Sequence, residues 1–351
     1  MNDNFLEIIS AASGERKDLF LAAATRLGTT EQNVEKDFWI CWVLDALFHG
    51  LPPHGPRLLF KGGTSLSKAF GLISRFSEDI DITVFRADLG QAATVEQLEA
   101  LSRKKRNARL DEIKLACQRY ISVPLLEDMG KIIDQTAQRS GLAAGQFKIT
   151  MDEDDPDGQS LLVWYPTAKP VEGYIRQAVK IEAGAKSALD PNCQTTARPY
   201  LAEDVASLNL DVSGITTIVA ERTFWDKVAI IHGQRRWFER RGELQHQGQR
   251  VSRHYYDLYR LLDSEVGQQA LSDSSLCRDC VRHARMFFDR PDFDLATAVP
   301  GTLALSPSPA MAEPLRRDYG RMAGMIMGAV PEFNEVIVRI REFERRVNAP
   351  A

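Results

Sequence analysis

The fold is decided by two short blocks of sequence, Phe60-Lys61-Gly62-Gly63-Thr64-Ser65-Leu66-Ser67-Lys68 and Arg75-Phe76-Ser77-Glu78-Asp79-Ile80-Asp81. Apolar residues 58–60 predict a short strand that enters the Gly-Gly turn of the first block. A helix of about two turns is expected after the turn, and the alternation of polar and apolar residues over 79–85 predicts a second strand. The blocks therefore predict a strand–turn–helix–strand unit.

The second block places two aspartates on one strand. Because side chains alternate along a strand, Asp79 and Asp81 point to the same side of the sheet, whereas Ile80 points into the core. Two carboxylates about 7 Å apart along a strand repel each other unless a cation lies between them. Hard divalent ions such as Mg²⁺ or Mn²⁺ supply that cation, together with the phosphate oxygens of a substrate. The Asp-x-Asp pair thus predicts a metal site for a phosphorylated substrate.

The first block predicts an anion site. A strand, a Gly-Gly turn and a helix start bring free backbone N–H groups and the positive end of the helix dipole together. Without side chains, Gly62 and Gly63 let a phosphate approach the backbone. The block is not a P-loop, because its lysine and serine stand at other distances. Each block alone is also compatible with an ordinary turn or a solvated strand, but their combination favours a nucleoside triphosphate with a bridging metal ion.

Together the blocks closely resemble the AbiEii/AbiGii-type nucleotidyltransferase toxins, which include MenT-like proteins and are minimal members of the polymerase-β-like nucleotidyltransferase superfamily. That superfamily carries a Gly-Ser turn and then an Asp-x-Asp pair. Here the serine is displaced by one position in Gly63-Thr64-Ser65. Glu35-Lys36-Asp37 is similar to the same family, and the resemblance extends in pieces from Glu35 to Leu261. It implies an α+β fold, with a small mixed sheet flanked by helices and a helical C-terminal lobe.

A third acid is expected on a neighbouring strand. In Val179-Lys180-Ile181-Glu182, Lys180 and Glu182 share one face of the strand. The family carries a Lys-x-Asp/Glu pattern at this place, which implies that Glu182 is the third acid, as a metal ligand or as the general base on the attacking hydroxyl. A salt-paired edge strand is the alternative interpretation.

The resemblance continues in two later segments, Glu221–Lys227 and Arg253–Leu258, each at the start of a predicted helix. It implies that Lys227 contacts the triphosphate and neutralises charge on the leaving pyrophosphate. It also implies that Asp257 orients Lys227 or the nucleotide. Ion pairing between helices is the alternative for both residues. For Arg75 the sequence is compatible with two roles, phosphate contact and structural support.

The complete prediction assigns a set of residues to each role. Catalysis is assigned to Asp79, Asp81, Glu182, Lys227 and Asp257. Metal ligation is assigned to Asp79, Asp81 and Glu182. Nucleotide or phosphate contact is assigned to Lys61, Gly62, Gly63, Thr64, Ser65, Lys68, Arg75 and Lys180. RNA contact is assigned to an arginine cluster beside aromatic residues, with a solvated helix end as the alternative: Arg235, Arg236, Arg240 and Arg241.

Composition limits the class of protein. The chain has 351 residues, of which 44% are hydrophobic and 26% charged, as is typical of globular proteins. Its 48 acidic and 44 basic residues give a net charge of −4, which excludes a polybasic protein. We expect a nucleotidyltransferase domain with N-terminal helices over residues 1–214. A mainly helical C-terminal domain over residues 215–351 is expected to complete the active-site cleft.

The cysteines, the apolar runs and the first residues of the chain indicate the cellular compartment. The five cysteines are scattered and odd in number, which favours a reducing compartment over a disulfide framework. No apolar run reaches the roughly 20 residues needed to cross a bilayer, and the first residues lack the pattern of a secretory signal. We expect a cytoplasmic protein without membrane contact.

These observations and the resemblance predict a toxin of a toxin–antitoxin system that transfers NMP from an NTP and releases pyrophosphate. The resemblance implies that the attacking group is the 3′ hydroxyl of a tRNA acceptor end, so that modification blocks aminoacylation and growth. It also implies a cognate antitoxin encoded nearby. The alternatives are NMPylation of a protein hydroxyl and a nucleotide-binding regulator without catalysis. A kinase is less favoured because the chain has no His-Arg-Asp catalytic loop.

Overall fold

The structure, a computed structural model, describes residues 1–143, 145–168, 176–245 and 250–350. The chain divides into two compact units. The first unit comprises Met1–Phe70, Phe76–Ala93 and Arg103–Thr217, and the second comprises Gly71–Arg75, Thr94–Ser102 and Ile218–Ala351. The assignment of the predicted functional domains, with their boundary at 214/215, stays a prediction.

The first unit is built on one seven-stranded sheet. Its strands are β1 (Leu58–Lys61), β2 (Asp79–Val84), β3 (Lys148–Met151), β4 (Ser160–Trp164), β5 (Ala178–Gly184), β6 (Asn192–Ala197) and β7 (Val212–Ile218). The strand order is β3-β4-β5-β2-β1-β7-β6. Strand β2 pairs antiparallel with β1 and parallel with β5, and β1 pairs parallel with β7. The sheet is therefore mixed, which confirms the α+β prediction.

The helices of the first unit are α1 (Asn4–Ser10), α2 (Ser13–Leu27), α3 (Glu31–Asp45), α4 (Gly62–Lys68), α6 (Arg103–Tyr120) and α7 (Leu126–Arg139). Helix α3 begins at a capping hydrogen bond, in which the side chain of Thr30 accepts from the backbone N–H of Asn33. Nearly every residue of α3 is buried. Trp39 is 1% exposed and stacks on Tyr165 with ring centroids 5.4 Å apart. The tryptophans of α3 therefore belong to the core of the unit.

The second unit is helical in its described part. Its helices are α5 (Val95–Glu99), α8 (Ala220–Arg241), α9 (Ser252–Leu262), α10 (Glu265–Ser272), α11 (Ser274–Phe287), α12 (Pro309–Met322) and α13 (Phe333–Asn348). The predicted dominance of helices after the last strand is confirmed. Among the helices that the described residues form, none combines the length and the apolar character that crossing a membrane requires.

Candidate active site

The glycine turn and the Asp-x-Asp strand lie against each other in the first unit. Strand β1 ends at Lys61, α4 begins at Gly62, and Lys61 is the register partner of Asp81 on β2. Gly62 has a φ of +80°, and a Cβ added there would lie 2.1 Å from Oδ2 of Asp81. Only glycine meets both conditions, because other residues rarely adopt this φ and any side chain would collide with the carboxylate. The Asp81 carboxylate therefore directly faces the turn.

The hydroxyl groups after the turn are used inside the protein. Thr64 and Ser65 are fully buried. The Thr64 hydroxyl donates to the backbone carbonyl of Asp79 and bonds the Ser77 hydroxyl at 2.8 Å, and the Ser65 hydroxyl donates to the carbonyl of Gly62 at 2.9 Å. These bonds fix the turn to the start of β2. Because α4 begins without a side-chain cap, its first backbone N–H groups are the donors that a phosphate would meet.

A group of four charged residues, the charged face, lies on one side of the sheet. Asp79 and Asp81 are half-buried while Ile80 is fully buried, as the alternation predicts. The parallel register pairs Asp79 with Lys180 and Asp81 with Glu182. Register partners lie on neighbouring strands about 4.8 Å apart and on the same side of the sheet. The charged face thus contains Asp79, Asp81, Lys180 and Glu182.

Two lysines partly neutralise these carboxylates. The ammonium of Lys61 lies 3.7 Å from Oδ1 of Asp81. The ammonium of Lys180 lies 3.0 Å from Oε1 of Glu182 and 3.2 Å from Oδ2 of Asp152. Partial burial acts to lower the pKa of Lys180, but the two carboxylates outweigh burial and raise it. Lys180 is therefore a firmly protonated cation beside the aspartate pair.

The donor set fits a divalent ion in part. Within residues 1–143, 145–168, 176–245 and 250–350, no three His, Cys, Asp or Glu side chains are spaced to hold a metal ion. As their side chains stand, Asp79, Asp81 and Glu182 do not form such a group, and ligation by Glu182 stays a prediction. Mg²⁺ is commonly held by only one or two carboxylates plus substrate phosphates. The same-face pair Asp79 and Asp81, beside the glycine turn, fits that requirement.

Lys68, which was predicted to contact phosphate, is buried and paired with another side chain of the first unit. Its side chain is 3% exposed and forms an ion pair with Asp37 of α3, whose own side chain is fully buried. The ammonium also lies 3.0 Å from the ring centroid of Tyr200. Burial acts to lower the pKa of Lys68, but Asp37, together with Tyr200 and Cys41, outweighs burial and raises the pKa. The contacts give Lys68 a structural role, in which it joins the end of α4 to α3.

Arg75, Lys227 and Asp257 form a buried cluster within the second unit. Asp257 is 0% exposed. Its carboxylate accepts two hydrogen bonds from Arg75, at 2.7 and 2.9 Å, and pairs with the Lys227 ammonium at 2.8 Å. Burial acts to raise the pKa of Asp257, but the two cations outweigh it and hold the pKa well below its ordinary value. Asp257 therefore orients Lys227, and Arg75 is engaged in structural support.

The four arginines predicted to contact RNA are already paired inside the second unit. Arg235 and Arg236 both bond Glu239, at 2.7 and 3.0 Å. Arg240 donates to the carbonyl of Pro291, and Arg241 donates to Asp292 at 2.8 Å. These contacts are also what the alternative interpretation, a helix end stabilised by local ion pairs, predicts. RNA contact by the four arginines stays a prediction.

A mixed sheet that presents an aspartate pair to a glycine turn is the arrangement expected of a nucleotidyltransferase. The family model "Nucleotidyl transferase AbiEii toxin, Type IV TA system" matches residues 45–347. The chain therefore belongs to the AbiEii family of nucleotidyltransferase toxins from type IV toxin–antitoxin systems, and it is a nucleotidyltransferase. The family implies NTP as substrate and an antitoxin as partner. The match begins after Glu35-Lys36-Asp37 and extends well past Leu261.

MenT4, a nucleotidyltransferase toxin from Mycobacterium tuberculosis H37Rv, is a solved structure similar to this chain. The two share 17% sequence identity with a TM-score of 0.42, and the match covers 93% of this chain and 96% of MenT4. No curated protein matches the sequence.

Proposed function

We propose that this toxin transfers NMP from an NTP to the 3′ hydroxyl of a tRNA acceptor end, with release of pyrophosphate, and that Mg²⁺ or Mn²⁺ is required. The observation that carries the proposal is the contact of the Asp81 carboxylate with the Gly62 turn. It brings a hard-oxygen donor and a helix start into one place, as a metal-bound triphosphate needs. The tRNA acceptor follows from the resemblance to the AbiEii family.

The roles of the residues follow from their contacts. Asp79 and Asp81 would hold the divalent ion, which when bound neutralises triphosphate charge and orients the reacting phosphate. Phosphate oxygens would approach the start of α4 at Gly62, the half-buried residue of the turn, since Gly63 and Thr64 are buried. Glu182 remains the third acid of the proposal, as a ligand or as the base that takes the proton from the attacking hydroxyl. For Lys227, charge neutralisation on the leaving pyrophosphate stays an expectation from the family resemblance, because its ammonium, like the guanidinium of Arg75, is paired with the buried Asp257.

Lys68 and Arg75 are left out of the proposed phosphate contacts. Each is buried and bonded to an aspartate within its own unit. A cation that left such a partner for a phosphate would leave a buried carboxylate unpaired, which is costly. Lys61 and Lys180 are only partly buried, so they are the lysines of the first unit that this proposal retains near the nucleotide.

The acceptor is tested by incubating the purified protein with each labelled NTP and either total tRNA or a protein extract. We expect label on tRNA 3′ ends that depends on Mg²⁺ or Mn²⁺ and is abolished by EDTA. The variant Asp79→Asn/Asp81→Asn should lose at least about 10²–10³-fold of the rate, the usual cost of removing an electrostatic stabiliser. Asp154→Asn, which neutralises an exposed carboxylate of the same unit, is the control and should retain activity.

Two results would contradict the proposal. Label found in protein but not in tRNA would replace the acceptor by a protein hydroxyl, as in NMPylation. Growth arrest that persists in the Asp79→Asn/Asp81→Asn variant would show that toxicity does not depend on this chemistry.

For the partner, we propose that the antitoxin is encoded nearby. Co-expression of the neighbouring gene should restore growth.

A further inference from the structure

Lys180 has a second carboxylate partner outside the charged face. Asp152 follows the end of β3, and its backbone N–H donates to the carbonyl of Ser160 at 3.0 Å. Ser160 is in turn the register partner of Glu182. Lys180 therefore lies between two carboxylates of unlike exposure, because the side chain of Glu182 is 39% exposed and that of Asp152 only 3%.

Asp152 is fully engaged by its neighbours. Oδ2 pairs with Lys180 at 3.2 Å, whereas Oδ1 pairs with Arg176 at 3.2 Å and accepts from the backbone N–H of Asp154 at 3.3 Å. A buried carboxylate with both oxygens occupied is a poor candidate for a metal ligand, because binding a metal would break these bonds. Its contacts instead make it an anchor for the Lys180 ammonium.

The position of that ammonium matters for a divalent ion at the aspartate pair. Lys180 is the register partner of Asp79 and contacts Glu182. The Lys180 ammonium lowers the mutual repulsion of the carboxylates on the charged face. It also repels a divalent ion, and it occupies the Glu182 carboxylate, which would otherwise attract that ion. Because the ammonium contacts both Glu182, at 3.0 Å, and Asp152, at 3.2 Å, the bond to Asp152 is the one that would hold it when a divalent ion displaces it from Glu182.

We propose that Asp152 is a positioning residue that retains Lys180 when a divalent ion binds, and so sets the affinity of the charged face for that ion. This inference rests on the proposed function, since the ion is the one that nucleotidyl transfer would use. Asp152 acts only through Lys180, and it touches neither the nucleotide nor the metal.

The test uses two variants of one turn. Asp152→Asn and Asp154→Asn each remove one negative charge, and both aspartates contact Arg176, at 3.2 and 2.7 Å. Only Asp152 also contacts Lys180. The measurement is the Kd for Mn²⁺ on the full chain without nucleotide, by calorimetry or by electron paramagnetic resonance of free Mn²⁺. We expect Asp152→Asn to weaken binding about 10-fold, as for other residues that orient a site from outside it. Asp154→Asn should change the Kd less than about 2-fold, because its charge is exposed and screened.

Removing the lysine gives the opposite sign. Lys180→Met should bind Mn²⁺ more tightly than the wild type, and adding Asp152→Asn to it should have little further effect. If Lys180 served only to contact phosphates, Lys180→Met would leave the Mn²⁺ affinity unchanged and the inference would be overturned. If Asp152→Asn does not fold, an unchanged Mn²⁺ affinity of Lys180→Met still overturns the inference, because Asp152 acts only through Lys180, whose partly buried side chain can be replaced.

The remaining outcomes separate the inference from the proposed function. Equal Mn²⁺ affinities of Asp152→Asn and Asp154→Asn, with normal wild-type binding that is lost in Asp79→Asn/Asp81→Asn, would overturn the inference alone. Wild-type Mn²⁺ binding that survives Asp79→Asn/Asp81→Asn would overturn both, because the ion would then lie elsewhere.

Discussion

Two groups of charges in this protein have similar residue types and opposite environments. In the first unit, the carboxylates of the charged face are half-buried, and a lysine approaches Asp81 only to 3.7 Å. In the second unit, Asp257 is completely buried and bound by both Arg75 and Lys227. The comparison teaches that a motif aspartate can serve in two ways. A half-exposed carboxylate can exchange its partner for a ligand, whereas a buried carboxylate with two cations holds other side chains in place.

The largest expected effect is on stability. Asp257→Asn leaves Arg75 and Lys227 buried without their carboxylate, and breaking a buried pair in this way costs about 3–5 kcal/mol of unfolding free energy. Asp81→Asn should change the free energy by less than about 1 kcal/mol, because its pair with Lys61 is partly exposed. Urea denaturation of the two variants measures the difference. Equal losses of stability in both variants would contradict the comparison.

A second effect is a pH dependence that belongs to the buried group. The pKa of Asp257 is lowered in the folded state, so on acidification the unfolded chain takes up the proton first, near its ordinary value of about 3.9. The stabilising contribution is therefore complete above about pH 5 and is lost as the pH falls below about 4.

The measurement for this pH effect is the unfolding free energy of wild type and Asp257→Asn as a function of pH. The difference between the two proteins should be constant from about pH 8 to 5 and should shrink towards pH 3. A difference that stays constant over the whole range would show that Asp257 is not stabilised as a carboxylate.

A third effect concerns activity and depends on the glycine that faces Asp81. Gly62→Ala and Gly90→Ala both place a side chain at a positive φ, +80° and +70°, which costs about 1–2 kcal/mol each. An added Cβ collides with Asp81 only at Gly62, whereas Gly90 has open space around it. We expect Gly62→Ala to lose at least about 10²-fold of nucleotidyl transfer, as displaced reacting groups do. Gly90→Ala should stay near wild-type activity, and comparable losses in both variants would remove the special role of Gly62.

The smallest effect concerns Lys61. Its ammonium lies 3.7 Å from Asp81, and both side chains are about one-quarter exposed. Lys61→Met should therefore leave the unfolding free energy within about 1 kcal/mol of the wild type. The same variant should raise the KM for NTP if Lys61 contacts phosphate as predicted. An unchanged KM would show that Lys61 does not contact phosphate, so that this lysine would contribute little to either nucleotide binding or stability.

The sequence predicted the local elements around the site closely. The strands expected at 58–60 and 79–85 are present as β1 and β2, and the expected helix after the glycine turn is α4. Strand β6, in contrast, was not predicted, because Asn192–Ala197 is a polar segment whose pairing depends on the sheet beside it. The catalytic and binding roles assigned to individual residues stay predictions, and the variants above test them.

The sequence by itself determined the family, the Gly-Gly turn and the same-face aspartates, because turns and strand alternation are encoded within a few neighbouring residues. Only the tertiary structure decided which partner each long charged side chain meets. Arg75 bonds Asp257 across 182 residues of sequence, and Lys68 pairs with Asp37 on another helix. Such pairs depend on how distant elements pack and on which charges become buried. The spacing of residues in the local sequence determines neither the packing nor the burial.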